Sequence, residues 1–128
     1  MNPTVRRIFF GCALITVFIS CVIAGQNKFG QPKSVIHVVT GKWKSDSTPE
    51  QQQKALNGVK EMAGKIPGIK NIWIKPTKIQ PGDYNFAFVI EFESEAAHQA
   101  YGSNPEHEKW AEYYLSVREE SRNNVITN

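Results

Sequence analysis

Residues 26–128 contain no cysteine: both cysteines of the chain, Cys12 and Cys21, stand in the first 25 positions. This excludes disulfides and thiolate metal sites from the larger part of the chain, so packing or oligomerisation must hold it together. An excess of one charge is missing as well. With Arg6 and Arg7 set aside, 13 of the 15 Lys and Arg face all 12 Asp and Glu, which is close to neutral. No basic run is interleaved with aromatics, and this argues against a nucleic-acid partner. There is no Gly-rich phosphate loop, nucleophile motif or paired-carboxylate arrangement. His107 has neighbouring carboxylates in Glu106 and Glu108, but no histidine pair at i, i+4 and no Cys ligand accompany it. The expectation is therefore no metal and no cofactor.

Long apolar runs are scarce too, and the single one lies at the N-terminus. Arg6 and Arg7 precede an apolar stretch from Ile8 to Ala24. Seventeen residues make ~25 Å of helix, short of a ~30 Å hydrocarbon core. Residues 1–25 accordingly read as a signal peptide, with an uncleaved N-terminal membrane anchor as the alternative. Val22-Ile23-Ala24 offers small residues for cleavage before Gly25, whereas Phe18-Ile19-Ser20-Cys21 resembles a bacterial lipobox, with Phe where Leu is usual. The chain is thus expected to be exported, periplasmic or extracellular, with any membrane contact made through this segment, for example as a lipoprotein at Cys21. Residues 26–33, with Gly30 and Pro32, form a polar linker.

One domain follows, from 34 to 128. Ser34 to Lys44 is rich in β-branched residues and reads as a strand, with Val35, His37, Val39 and Trp43 on one face and Ile36, Val38 and Thr40 on the other. Thr48-Pro49-Glu50-Gln51 combines an N-cap, a first-turn proline and a capping box, and opens a helix with the stripe Leu56, Val59, Met62 or Ala63, and Ile66. Pro67-Gly68 stops it. Ile69 to Lys75 is a second strand, Pro81-Gly82-Asp83 a turn, and Tyr84 to Glu93 a third strand with Tyr84, Phe86, Phe88, Ile90 and Phe92 on one face. Ser94 caps a helix to about Gly102. Pro105 starts another, to about Glu120, and Asn123 to Thr127 is a last strand. The order β-α-β-β-α-α-β is an α+β, ferredoxin-like arrangement with its second helix broken. Helices on one face of four strands leave the other face bare, and so much apolar surface calls for a partner.

Several stretches, taken in order, resemble the stress-responsive dimeric α/β-barrel (Dabb) domain over Ser34 to about Thr127. They are Val35-Ile36-His37-Val38-Val39 with Lys42-Trp43-Lys44, Ile66-Pro67-Gly68-Ile69, Phe88 to Ser94, and Ala100-Tyr101 followed by Pro105-Glu106-His107. The resemblance implies a homodimer in which two four-stranded sheets close a barrel. It also implies candidate site residues. Plant polyketide cyclases of this fold use a histidine and a tyrosine that match His107 and Tyr101, and their first-strand histidine matches His37. A further histidine of those cyclases falls at Phe86, a departure that weighs against an inherited cyclase reaction.

His107 sits in the first turn of a helix beside Tyr101, where an imidazole can serve as a general base or simply staple the junction. His37, flanked by β-branched residues, reads as a satisfied buried histidine or else as a pocket-lining residue beside His107, and His98, among Gln and Ala, as a solvated one. Trp43, Trp73, Phe86, Phe88 and Trp110 are the candidate lining of an apolar pocket. Two functional classes follow. The favoured one is an exported homodimeric barrel that binds a small apolar or aromatic ligand without an established reaction. The other is a cofactor-free lyase, cyclase or isomerase with His107 as base, Tyr101 orienting a substrate oxygen and His37 assisting.

Overall fold

A computed structural model describes residues 33–128; the expected signal or anchor and most of the linker lie outside these residues. The elements are β1 (Val35–Trp43), α1 (Pro49–Ala63), β2 (Ile69–Trp73), β3 (Phe86–Phe92), α2 (Glu95–Gly102), α3 (Pro105–Val117) and β4 (Arg118–Ile126). They build one antiparallel sheet in the order β2-β3-β1-β4, so this is the expected ferredoxin-like α+β fold. Among the described residues, no helix is long and apolar enough to cross a membrane.

Local chemistry sets most boundaries. The Thr48 hydroxyl accepts from Gln51 N while the Gln51 side chain accepts from Thr48 N, closing the capping box, and Pro49 follows in the first turn. Ser94 Oγ accepts from Ala97 N at 3.2 Å to start α2, and Asn104 Oδ1 accepts from Glu106 N at 3.0 Å to start α3. Gly68, at φ +84°, takes the left-handed turn into β2 that L side chains avoid.

The register of β1 against β3 runs from Val35 opposite Phe92 to Gly41 opposite Phe86. Cross-strand partners share a face, which puts Val35, Val39, Trp43, Phe86, Phe88, Ile90 and Phe92 beneath the helices. Ala55, Val59 and Met62 of α1, with Tyr101, Tyr114 and Val117, close this core from the helical side. Full burial of side chains the size of Phe86, Ile90 or Phe92 contributes about 1.5–3 kcal/mol each. The expected α1 stripe named Leu56, but that side chain only flanks the core, and Ala55 takes the central place.

The opposite face of the sheet carries Ile36 and Val38 of β1, Val89 of β3 and, on either edge, Trp73 and Ile126. Trp73 is 51% exposed and Ile126 58%. The described residues provide no second layer over this face.

Three boundaries differ from expectation. Helix α3 ends at Val117 rather than near Glu120, and β4 begins at once with Arg118, in extended geometry. Pairing with β1 explains this: β4 matches β1 from Trp43 to Ile36, and that ladder draws residues 118–120 out of the helix. Strand β3 starts at Phe86 because the preceding residues close a turn. There Tyr84 N donates to Pro81 O, and the Asn85 side chain accepts from Trp43 N. Strand β2 stops at Trp73, where its pairing with β3 ends.

Candidate functional site

Three imidazoles and a phenol gather at one end of the helical face. Strand β1 places His37 on the inner face, between Val125 of β4 and Ile90 of β3. The Ser94 cap fixes the phase of α2, and residues at i and i+3 share a helix face, so His98 and Tyr101 both point to that end of the sheet. Their rings stand on Phe92, with centroids 5.1 Å away in both cases. The Asn104 cap and Pro105 then bring His107 back over Tyr101, with ring centroids 4.2 Å apart. One turn further along α3, Trp110 lies 5.8 Å from the His107 ring and edge-on to Phe88.

His98 does not have the solvated position expected of it. It is partly buried, and its Nε2 lies 3.3 Å from His37 Nδ1, so the two imidazoles share a hydrogen bond across 61 residues of sequence. The spacing of His98 among Gln and Ala gave no sign of this, because its partner comes from another element. The other nitrogen of His37, Nε2, is buried and has no hydrogen-bond partner. Burial, together with the neighbouring His98 and His107, holds the His37 imidazole down to about 4 from its ordinary value of 6.5. Near neutral pH this ring is therefore uncharged.

His107 Nδ1–H donates to the Gly102 carbonyl at 3.2 Å. A carbonyl can only accept, so the bond fixes the tautomer, and in the neutral ring Nε2 carries the lone pair. Desolvation lowers the His107 pKa, against an opposing pull from the Gly102 bond and Glu108. The Tyr101 hydroxyl is pushed up, mainly by burial and further by Tyr114, and stays protonated through the neutral range. The cluster therefore offers one free base, one phenol and an unpaired buried imidazole nitrogen, all uncharged. Among the described residues, no group of three or more His, Cys, Asp and Glu is placed to hold a metal ion.

The aromatic residues expected to line one pocket separate into three environments. Trp43, Phe86 and Phe88 are buried in the core, with Trp43 stacked on Phe86 at 4.0 Å. Trp73 lies on the far face of the sheet, because Ile72 pairs with inward-facing Ile90 and so turns its neighbour outward. Of the five, Trp110 borders a cleft. This is an open cleft of about 750 Å³ between α1 and α3, where Met62, Trp110 and Tyr113 share the lining with the charged Glu50, Lys54, Glu61, Lys65, Glu106 and Lys109. Trp110 is held there by Nε1–H donating to Ala55 O at 2.9 Å. His37, His98, Tyr101 and His107 are not part of the cleft wall; the contact of His107 with Trp110 links the two regions. The sequence reading missed the cleft, since only the packing of two helices defines it.

Residues 35–123 match the stress responsive A/B barrel domain. The chain belongs to that family. No curated protein matches it significantly in sequence. Among solved structures, the family fold recurs in a dimeric ferredoxin-like protein of unknown function from Bacteroides fragilis, at 21% identity and a TM-score of 0.62, covering 77% of this chain and all of that one. It recurs in the hydroxynitrile lyase from Passiflora edulis, at 16% identity and a TM-score of 0.68, covering 74% of this chain and 93% of that one. A cofactor-independent oxygenase from Streptomyces nogalater is similar at 11% identity, with a TM-score of 0.62 and coverage of 75% and 93%. At these identities the likeness speaks for the fold.

Proposed function

We propose that this A/B barrel domain is an exported homodimer that binds a small apolar or aromatic compound in the cleft between α1 and α3. The cleft carries the reading: about 750 Å³ of open space over Met62, Trp110 and Tyr113 suits an aromatic ring. Dimer formation is supported by the uncovered sheet face with Ile36, Val38 and Val89, and by the dimeric neighbour from Bacteroides fragilis. Export rests on the basic and apolar pattern of residues 1–25; mass spectrometry of the exported chain should find that segment removed or lipidated at Cys21.

The binding test is a thermal-shift titration with 2-naphthol on wild type and Trp110→Ala. A saturable rise in melting temperature that the substitution abolishes is expected. An equal rise in both proteins, or none in either, refutes the site.

A second reading, proton transfer without a cofactor, is favoured by one observation: His107 keeps a free Nε2 lone pair beside the Tyr101 ring. In it His107 takes a proton from a substrate hydroxyl or acidic carbon, and Tyr101 donates a hydrogen bond to the substrate oxygen. Cyanide release from a hydroxynitrile, the substrate class named for the Passiflora neighbour, gives a direct assay. Loss of about 10²–10⁴ in rate is expected for His107→Ala. Undiminished turnover in that variant removes His107 as the base.

A further inference from the structure

The cleft between α1 and α3 is electrically uneven along its length. The two helices run antiparallel, so Tyr113 Oη–H donates to Gln51 O at 3.4 Å near the start of α1, while Glu106 meets Lys65 Nζ at 3.0 Å just past its end. That ion pair spans one end of the cleft and neutralises it. Glu61 stands one turn before Lys65 in the chain, at the spacing that brings opposite charges together. The remaining acid of the lining, Glu50, has its charge stabilised at the helix start by its own N–H and by Thr48. The carboxylates of the cleft are therefore turned to groups of the protein itself. The other end holds a cation without such a partner. Lys54 Nζ lies 4.3 Å from the centroid of the Tyr113 ring, which localises the ammonium on the cleft wall, and it forms no ion pair among the described residues. An ammonium has three N–H donors, and one aromatic face does not exhaust them. Asn57 follows at i+3 on the same helix face. Its Oδ1 accepts from Gln53 Nε2 at 3.0 Å, which leaves the Asn57 NH₂ group free to donate. Lys54, Asn57, Trp110 and Tyr113 all line this one cleft.

We propose that the cleft selects aromatic acids: the ring packs against Trp110 and Tyr113, and the carboxylate accepts hydrogen bonds from Lys54 Nζ and Asn57 Nδ2. This names the ligand class for the cleft and rests on the reading of the cleft as a binding site. An ammonium and an amide NH₂ one helical turn apart, next to two aromatic rings, supply what such a molecule presents, because hydrogen bonds to an ionised acceptor are the stronger ones. A neutral phenol gains the ring contacts alone, and an aromatic amine faces Lys54 with like charge. Lys54 and Asn57 are both exposed. The charge contribution is therefore that of a solvent-exposed ion pair, about 5-fold in affinity, and it falls as salt screens it.

The test is isothermal titration calorimetry of the full chain at about pH 7.5 and low salt, where 2-naphthoate is ionised and 2-naphthol is neutral. These two and the cationic 2-naphthylmethylamine are titrated into wild type, Lys54→Gln, Lys54→Arg and Lys60→Gln. Lys60 is on α1 but outside the cleft lining, so its variant removes the same charge from elsewhere on the helix. Wild type should bind 2-naphthoate about 3–5-fold tighter than 2-naphthol and the amine most weakly, and about 0.5 M sodium chloride should narrow the gap. Lys54→Arg and Lys60→Gln should keep the preference, and Lys54→Gln should lose it. Equal affinity for acid and phenol in wild type, a preference that persists in Lys54→Gln, or an equal loss in Lys60→Gln overturns the inference. If acid and phenol bind equally and Trp110→Ala abolishes both, the cleft reading stands and the selection of acids falls. Binding of none of the three compounds overturns both.

Discussion

Mild acid should destabilise this domain through His37, and His37→Leu should remove that sensitivity. The unfolded chain exposes an ordinary imidazole, with a pKa of 6.5, whereas the folded one is held to about 4 by burial and by His98 and His107. Between those values the unfolded state binds the proton and the folded state does not, so stability rises with pH across the window. Above about 6.5 the contribution is flat, and it is lost progressively as the pH falls toward about 4. At about 1.4 kcal/mol per unit the full window is worth ~3 kcal/mol, and the partial exposure of the ring reduces this to roughly 1–2 kcal/mol. Burial also lowers the His107 pKa, and in the lower part of the window the carboxylates of Glu50 and Glu91, held below their ordinary 4.5 by hydrogen bonds, begin to contribute. The informative quantity is therefore the difference between wild type and variant above about pH 5. Urea unfolding followed by circular dichroism between pH 7.5 and 5 should show wild type losing roughly 1 kcal/mol more than His37→Leu. Parallel stability curves for the two proteins would refute the argument that His37 is buried and neutral.

Four further outcomes follow from packing and from the uncovered sheet face. Gly58→Ala places a methyl group 2.5 Å from Trp110 Cδ1 and strains the bond from Trp110 to Ala55 O. A helix-propensity gain of about 1 kcal/mol is then outweighed by about 1–3 kcal/mol of overpacking, and chemical denaturation should show net destabilisation. Gly64→Ala meets nothing closer than 3.6 Å at a helical φ of −70° and should stabilise by about 0.4–1 kcal/mol in the same assay. Phe86→His, which introduces the cyclase-type residue, puts an imidazole where Trp43, Phe88 and Tyr114 enclose the ring. It should cost about 3 kcal/mol and lower the melting temperature without creating activity, because a polar group there lacks a partner. Val38→Glu on the uncovered sheet face should halve the mass seen by light scattering while leaving the fold intact by circular dichroism; an unchanged mass would place the dimer contact elsewhere.

Much of this domain was readable from short-range chemistry alone. Caps and turns act within a few residues, so Thr48-Pro49, Ser94 and Asn104-Pro105 declare their helix starts without reference to the rest of the chain. The same locality made the approach of His107 to Tyr101 legible, since only a capped junction of known geometry separates them. The alternation Phe86, Phe88, Ile90, Phe92 likewise fixed which side of β3 is buried. What the sequence could not determine depends on contacts between distant segments. In Ile72-Trp73-Ile74 every residue is apolar, and only the register against β3 turns Trp73 outward. The start of β4 depends on a ladder with a strand some 80 residues earlier, and that ladder overrides the helical preference of Arg118 to Glu120. His98 looks like a surface histidine until β1 delivers His37 to it, 3.3 Å away. Local sequence thus determined the elements and the residues able to do chemistry, and the tertiary structure decided which of them meet, because a strand's facing and a helix's neighbours are set by pairing partners and not by the residue itself.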